Sequence, residues 1–199
     1  MTRNKSADSA EQRILEFAKK RFLSQGYSNV SMDELSRGLR VSKKTLYAKF
    51  PSKEALLRAA VAQHLEALQR DAEAIITGTG FYRDKLEAFM RLIYERLNWI
   101  DPYALEDIET QVPSVWHYIL SFRAETVSHS LIELLEEGKR QGALQKGLES
   151  ALVVQLLLAS LDTLTRPDVL TSESKSAAEM VDFVITTALD GWAAIPKTA

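Results

Sequence analysis

The sequence predicts an all-α protein of about nine helices. Apolar residues recur at helical spacing along the chain, and no convincing stretch alternates as a β-strand would. Serines suited to capping helix N-termini, together with Gly and Pro breaks, separate these apolar segments. We expect a three-helix domain over residues 1–55 and a larger helical bundle over residues 56–199.

The first helix is predicted to run from about Asp8 or Ser9 to Gly26, a residue type that commonly ends helices. Two short helices with clear start signals follow. Ser31 begins the capping box SMDE, in which the serine hydroxyl accepts from a backbone N–H and Glu34 reaches back. The second short helix begins at Ser42, which is flanked by two apolar residues at the spacing of a hydrophobic staple. Because each helix has its own cap, we expect the pair to hold a fixed angle.

Longer helices make up the rest of the chain. Ser52 should cap a helix that reaches about Ile76, where the loop TGTG ends it. Pro113 fits the first turn of another long helix. The predicted ranges are 52–76, 82–97, a short segment over 102–110, 113–140, 148–165 and 174–192.

Composition excludes several classes of protein. The 199 residues are 46% hydrophobic and 26% charged, which is ordinary for a soluble globular protein. The chain has no cysteine, which excludes disulfides and thiolate metal sites, and its three histidines lie far apart in sequence. The N-terminus lacks an apolar signal segment, and the longest apolar-rich run, 151–161, is shorter than the ~20 residues that cross a bilayer. We expect a cytoplasmic protein that uses no cofactor, binds no metal and enters no membrane.

Charge is distributed unevenly along the chain. Residues 1–60 hold thirteen Lys or Arg and six Asp or Glu, a net charge of +7. The remainder holds twelve basic and 21 acidic residues, a net charge of −9. Such asymmetry points to a polyanionic partner for the N-terminal part, although a solvated charged face is the alternative on charge alone.

The two short helices form a helix-turn-helix pattern, SMDELSRG–LRV–SKKTLYAKF. Leu46 and Phe50, four residues apart, should face inward on the second helix. Its N-terminal residues should then be exposed, as they are in a recognition helix that enters the major groove of DNA. Near its N-terminus this helix would expose Lys43, Lys44, Thr45 and Tyr47.

The stretch LSRGLRVSKKTLYAKFPSKEALL resembles the tetracycline-repressor (TetR) family of bacterial transcription factors, in detail over about residues 10–60. The resemblance implies a homodimer that binds a palindromic operator on double-stranded DNA and is released by a small-molecule effector. With the resemblance, the candidate DNA-binding residues are Ser31, Arg40, Ser42, Lys43, Lys44, Thr45, Tyr47, Lys49 and Lys53. Tyr47, Lys53 and Ser31 would contact phosphate, and base edges would be read by Lys43, Lys44 and Thr45.

Two departures from the family pattern stand out. Arg40 occupies the turn where the family usually has Gly. A left-handed Arg there costs on the order of 1 kcal/mol, unless Gly38 shifts the turn. Lys44 and Lys49 replace a small residue and a His, which makes the recognition helix more basic and leaves the base preference open.

The last two helices are apolar nearly all round, which suits helices that pack on their own body and on a partner. We expect them to pair with their copies in a twofold four-helix interface; complete burial within one chain is the alternative. The predicted interface residues are Leu152, Leu156, Leu157, Leu161, Val181, Val184, Ile185 and Leu189.

The middle helices are rich in aromatic residues. In the family this region holds an apolar effector cavity, whereas aromatic residues at helical spacing are also typical of plain core. Arg123 falls on a predicted inward stripe and needs an anionic partner, either a ligand carboxylate or an internal acid such as Asp107 or Glu109. The predicted pocket residues are Phe89, Ile93, Tyr94, Trp99, Tyr103, Trp116, Leu120 and Arg123.

The sequence does not favour an enzyme. It contains no Gly-rich phosphate loop, no His–carboxylate metal motif and no nucleophile elbow. A second reading keeps the DNA-binding fold without a small-molecule effector: an adaptor controlled by a protein partner, or a constitutive binder. The sequence leaves repression or activation, the operator and the effector open.

Overall fold

The computed structural model describes residues 3–97, 100–164, 166, 169, 172–174 and 176–192. The described elements are helical, which confirms the all-α prediction. They are α1 (Arg3–Gln25), α2 (Met32–Leu39), α3 (Lys43–Lys49), α4 (Lys53–Thr77), α5 (Tyr82–Leu97), α6 (Pro102–Gln111), α7 (Pro113–Phe122), a π-helical turn (Arg123–Val127), α8 (Ser128–Arg140), α9 (Ser150–Leu164) and α10 (Ala177–Trp192).

The predicted helix over 113–140 is α7, the π-helical turn and α8 in succession. Counted as one element, these give the nine predicted helices within the described ranges. The first helix begins earlier than predicted, at Arg3, because residues 3–7 contain no Gly or Pro that would stop it.

The predicted N-caps are formed. The Ser31 hydroxyl accepts from the Glu34 backbone N–H at 3.1 Å, and the Ser52 hydroxyl accepts from the Ala55 backbone N–H at 3.0 Å. Asp101, with Pro following it, caps α6 in the same way. Local sequence thus sets where these helices start.

The chain divides into two compact units. The first unit contains α1, α2, α3, the part of α4 through Ala67, α6 and α7. The second unit contains the rest of α4, α5, the π-helical turn, α8, α9 and α10. The predicted domain boundary after residue 55 stays a prediction.

One buried cluster forms the core of the first unit. Phe22 of α1, Leu35 of α2 and Leu46 of α3 belong to it, each at most 1% exposed. Ile108 of α6 and Val115 of α7 lie in the same cluster and are fully buried. The three N-terminal helices therefore share their core with two helices that follow much later in the sequence.

In the second unit a partly buried ion pair ties three helix ends together. The Lys85 ammonium donates to both carboxylate oxygens of Glu137 at 3.0 Å and to the Ile76 carbonyl at 3.1 Å. Gln141 accepts from the Tyr82 backbone N–H at 3.1 Å and donates to the Glu137 carboxylate at 2.9 Å. These bonds fix the end of α4, the start of α5 and the end of α8.

The π-helical turn explains why the predicted inward stripe through Arg123 is only partly right. The extra residue in a π turn shifts which positions face a given side. Before the turn, Val115 is buried and Leu120 is exposed; after it, Val127 and Leu131 are buried as predicted. Arg123 is half-exposed and donates to Asp162 at 2.7 Å. The acid partner is therefore internal, but it is Asp162 and neither Asp107 nor Glu109.

Gly138 allows α8 to pack closely in the second unit. A Cβ atom there would lie 2.7 Å from Tyr82 Cδ2 and 2.8 Å from Leu144 Cδ1, and both of those residues are buried. We expect Gly138→Ala to lower the free energy of unfolding by about 1–3 kcal/mol through overpacking. Gly191→Ala is the matched control, because no atom lies within 4 Å of its Cβ and alanine favours helix. Urea unfolding of both variants measures this; equal stability of the two would contradict it.

Candidate nucleic-acid interface

The turn between α2 and α3 is closed by a left-handed arginine. Arg40 has φ 56° and ψ 42°. Its backbone N–H donates to the Arg37 carbonyl at 3.1 Å, and the Val41 N–H donates to the Ser36 carbonyl at 3.0 Å. This pair of bonds is a Schellman motif, which usually has Gly at the left-handed position. Arg40 therefore has the strained left-handed conformation that the sequence analysis considered for this turn.

Gly38 allows close packing of α2 against α1 and does not shift the turn between α2 and α3. It lies within α2, and a Cβ atom there would come within 2.4 Å of the Phe17 ring of α1. The missing side chain lets α2 approach α1 closely. The alternative that Gly38 moves the turn is therefore wrong.

Helix α3 presents its N-terminal residues to solvent. The Ser42 hydroxyl accepts from the Thr45 backbone N–H at 3.0 Å and lies 2.7 Å from the Thr45 hydroxyl. Leu46 is buried, as predicted, while Lys44 and Tyr47 are exposed, Tyr47 by 47%. The face opposite the core thus carries the predicted DNA-contacting side chains.

Two of the predicted lysines are held in surface ion pairs that sequence reasoning missed. Lys43 pairs with Asp33 of α2 at 2.6 Å, and Lys49 pairs with Glu11 of α1 at 2.8 Å. Exposed pairs of this kind contribute only about 0–1 kcal/mol. These lysines can therefore exchange a carboxylate for a phosphate at little cost.

Lys53, the first residue of α4, is held differently. Its ammonium lies 4.1 Å from the centroid of the Tyr27 ring, a cation–π contact. Partial burial lowers the pKa of Lys53, and the nearby charge of Asp107 opposes that shift. The contact with the Tyr27 ring places the Lys53 ammonium beside the α1–α2 turn.

Asp107 of α6 binds that same turn. Its carboxylate accepts from the Ser28 backbone N–H at 2.7 Å and from the Ser28 hydroxyl at 2.6 Å. Burial raises the pKa of Asp107, but the hydrogen bonds from Ser28 and Tyr27 and the charge of Lys53 together lower it below its ordinary value. Sequence reasoning considered Asp107 only as a partner for Arg123.

Comparisons with known proteins agree with this geometry. Residues 14–60 match the sequence model of the bacterial regulatory proteins of the tetR family. Over 151 residues the chain is 28% identical to the HTH-type transcriptional regulator UidR of Escherichia coli strain K12, covering 73% of this chain and 74% of that protein. The chain carries the sequence signature of the TetR family over residues 14–60. It is a DNA-binding transcriptional regulator and not an enzyme.

Solved structures of transcriptional regulators share the fold, one of them from the TetR family. PfmR of Thermus thermophilus is 26% identical, with a TM-score of 0.65 over 89% of this chain and 97% of that one. A transcriptional regulator of Saccharomonospora viridis, solved in complex with choline, has a TM-score of 0.79 over 94% of this chain and 100% of that one. Its identity is 18%, so this likeness concerns the fold alone.

The predicted pocket residues are divided between the two compact units. Tyr103, Trp116 and Leu120 belong to the first unit, where Tyr103 is 75% exposed. Phe89 is fully buried core of the second unit. Ile93, Tyr94 and Arg123 are half-buried there, and Trp99 lies outside the described residues. Aromatic periodicity alone did not separate core, surface and pocket.

A groove in the second unit lies between α5 and α10. Its volume is about 420 Å³. Tyr94 lines it, together with Ile185 and Val181, and charged side chains from both helices complete its walls. In the described part of the chain, no group of three or more His, Asp or Glu could hold a metal ion, and no helix has the length and apolar content to cross a bilayer.

The predicted dimer residues divide into two sets. Leu152 and Leu156 are well exposed, whereas Leu161 and Ile185 are half-exposed. Leu157, Val181 and Val184 are buried within the second unit, so they face its own core and not a partner. The side chain of Leu189 lies outside the described residues. Because both helices are apolar nearly all round, periodicity did not show which face turns inward, and it missed Phe183, which is 57% exposed.

The Asp107 contacts predict a specific acid response. A carboxyl group with a lowered pKa in the folded state stabilises the fold above its unfolded pKa, about 4, and loses that effect as pH falls through the folded value. We expect the wild type to exceed Asp107→Asn in free energy of unfolding by a constant amount from pH 7 to about pH 5. The difference should shrink below about pH 4.

Chemical unfolding at a series of pH values measures this. Glu109→Gln makes the same charge change at an exposed position of α6 and reports the effect of net charge alone. A stability difference between wild type and Asp107→Asn that widens with acidification would contradict the expectation.

Proposed function

We propose that this TetR-family regulator is a repressor that binds a palindromic operator as a homodimer and is released by a small-molecule effector. The observation that carries the proposal is the capped, solvent-facing N-terminal half of α3, where Lys44 and Tyr47 are exposed above a buried Leu46. Such a helix can enter the major groove N-terminus first. In this role the protein would act in the cytoplasm.

The proposed contacts follow from side-chain chemistry. Lys44 and Thr45 are the base readers, because lysine donates to guanine and the threonine methyl meets thymine. Tyr47 and Lys53 contact phosphate, and Lys53 does so beside the N-terminus of α4, where backbone N–H groups favour an anion. Lys43 joins the base readers by leaving its weak surface pair with Asp33.

Several further residues complete the proposed interface. Arg40 and Lys49 add positive charge beside α3, and Lys49 does so by leaving Glu11. The hydroxyls of Ser31 and Ser42 already cap α2 and α3, so a phosphate would be a second partner for each.

Exposed apolar side chains on α9 and α10 support the homodimer. Leu156 is 63% exposed, and Leu152 lies one turn before it on the same helix face. Phe183 of α10 is 57% exposed. A homodimer carries two recognition helices, and successive major grooves on one face of DNA lie about 34–36 Å apart.

The groove between α5 and α10 supports the effector part of the proposal. Its walls carry Arg83, Arg91, Glu87, Glu95 and Asp182 around Tyr94, so it suits a small polar molecule better than the apolar one that an aromatic cavity would take. The alternative is an adaptor of the same fold that responds to a protein partner or to nothing. A rise in melting temperature with one member of a small-molecule library favours an effector; a library without any such hit favours the adaptor.

DNA recognition is tested by selecting bound duplexes from a random-sequence pool with the purified protein. We expect a palindromic consensus. Lys53→Ala should weaken binding to all duplexes and reduce the slope of log affinity against log salt by about one, because one phosphate contact is lost. Lys146→Ala, an exposed lysine in the loop after α8, is the control and should leave the slope unchanged.

Failure of the wild-type protein to enrich any duplex would overturn the proposed recognition of a palindromic operator. An unchanged salt slope for Lys53→Ala would exclude that phosphate contact while leaving the rest of the interface in place.

The homodimer is tested by placing a charge on the exposed face of α9. Leu156→Asp would bury two carboxylates in the interface, so we expect the dimer dissociation constant to rise roughly 100-fold. Phe81→Asp is the control, because Phe81 is also well exposed but lies in the loop before α5. Sedimentation measures both; a wild-type monomer at micromolar concentration would exclude the dimer.

A further inference from the structure

We propose that Asp107 of α6 is a positioning residue for DNA binding: it holds the α1–α2 turn and, through that turn, the phosphate-contacting lysine Lys53. Asp107 lies far outside residues 14–60, which carry the family's sequence signature. The inference rests on the proposed phosphate contact of Lys53.

The segment from Asp101 to Ser114, which includes α6, is hydrogen-bonded to the N-terminal helices at several points. The Asp101 backbone N–H donates to the Leu23 carbonyl near the end of α1 at 2.9 Å. The Ser114 hydroxyl donates to the Glu54 carboxylate near the start of α4 at 2.7 Å. Asp107, between these two anchors, reaches the turn that joins α1 to α2. Its position is therefore fixed from both sides.

The Asp107 carboxylate packs closely against the α1–α2 turn. Gly26 has φ 85°, and a Cβ atom there would lie 2.9 Å from an Asp107 carboxylate oxygen. The absence of a side chain lets the carboxylate receive both donors of Ser28. A glycine that is left-handed and closely approached by the acid accounts for this geometry.

Tyr27 connects the α1–α2 turn to Lys53. The Tyr27 residue lies between Gly26 and Ser28, and its ring is the surface on which the Lys53 ammonium rests, 4.1 Å from the centroid. Asp107 also attracts the Lys53 charge directly. One carboxylate thus fixes the tyrosine beneath the lysine and favours the lysine's charged form. The same turn leads into Ser31, the cap of α2.

Net charge and positioning predict opposite effects of Asp107→Asn on DNA affinity. Removing a negative charge near a DNA-binding surface should strengthen binding to phosphate. A positioning role instead means that Asp107→Asn weakens binding although the net charge becomes more positive. The asparagine has nearly the same size, but it has one acceptor oxygen for the two Ser28 donors and no charge for Lys53.

The experiment compares Asp107→Asn, Ser28→Ala and the control Glu109→Gln, each with its folded fraction measured by circular dichroism. The probes are a duplex recovered from the random-sequence pool by the wild-type protein and a random-sequence duplex of equal length. We expect Asp107→Asn to bind both duplexes roughly tenfold more weakly per folded molecule. Its salt slope should fall by about one, toward that of Lys53→Ala. Ser28→Ala should show a smaller loss in the same direction, and Glu109→Gln should bind at least as tightly as wild type.

Two further readouts separate positioning from mere stability. The double variant Asp107→Asn with Lys53→Ala should bind no more weakly than Lys53→Ala alone, because both changes remove the same contact. In the DNA-free protein, the Tyr27 and Ser28 amides should exchange hydrogen faster in Asp107→Asn than in wild type or Glu109→Gln.

Asp107→Asn that binds as tightly as wild type, or additive losses in the double variant, would overturn the proposal. Unchanged amide exchange would also overturn it. If the wild-type protein itself enriched no duplex, the proposed function would fail instead, and amide exchange would still report whether Asp107 holds the turn.

Discussion

The proposed DNA-binding surface depends on a core that its own helices do not complete. A segment of some 50 residues buries a smaller fraction of its surface than a larger domain does, so its stability by itself is marginal. Here Ile108 and Val115, both fully buried, lie in the same cluster as Phe22 and Leu46. Burial of apolar area at ~25 cal/mol per Å² is the dominant favourable term in such a cluster. Helices α6 and α7 are thus part of what keeps α1, α2 and α3 in place.

Polar contacts add geometry to that core. Apolar packing is not directional, whereas the carboxylate of Asp107 accepts two hydrogen bonds from one residue of the α1–α2 turn. The left-handed Arg40 performs a comparable task at the next turn, where two backbone bonds close α2. An arginine there costs about 1 kcal/mol in backbone strain. It also places a cation at the C-terminus of a helix, where the helix dipole favours positive charge.

The lysines of α3 and α4 show how a basic surface is kept ordered without DNA. Lys43 and Lys49 rest on acids of neighbouring helices, and Lys53 rests on an aromatic ring. Such contacts are weak in water, so each ammonium remains available to a phosphate. The weakness of the pairs is what makes the surface suitable for binding a polyanion.

The sequence by itself determined what depends on neighbours along the chain: the caps at Ser31 and Ser42, the burial of Leu46, the helix-turn-helix and the all-helical fold. These follow from residues within one or two helical turns of each other. The tertiary structure alone decided which distant residues meet. Asp107 lies 79 positions from Ser28, and Glu11 lies 38 positions from Lys49. It also decided which face of the apolar α9 and α10 turns inward and, through the π-helical turn, which acid pairs with Arg123. Apolar periodicity shows which faces of a helix are hydrophobic. It does not show which element packs against each face, because that depends on how helices distant in sequence pack together.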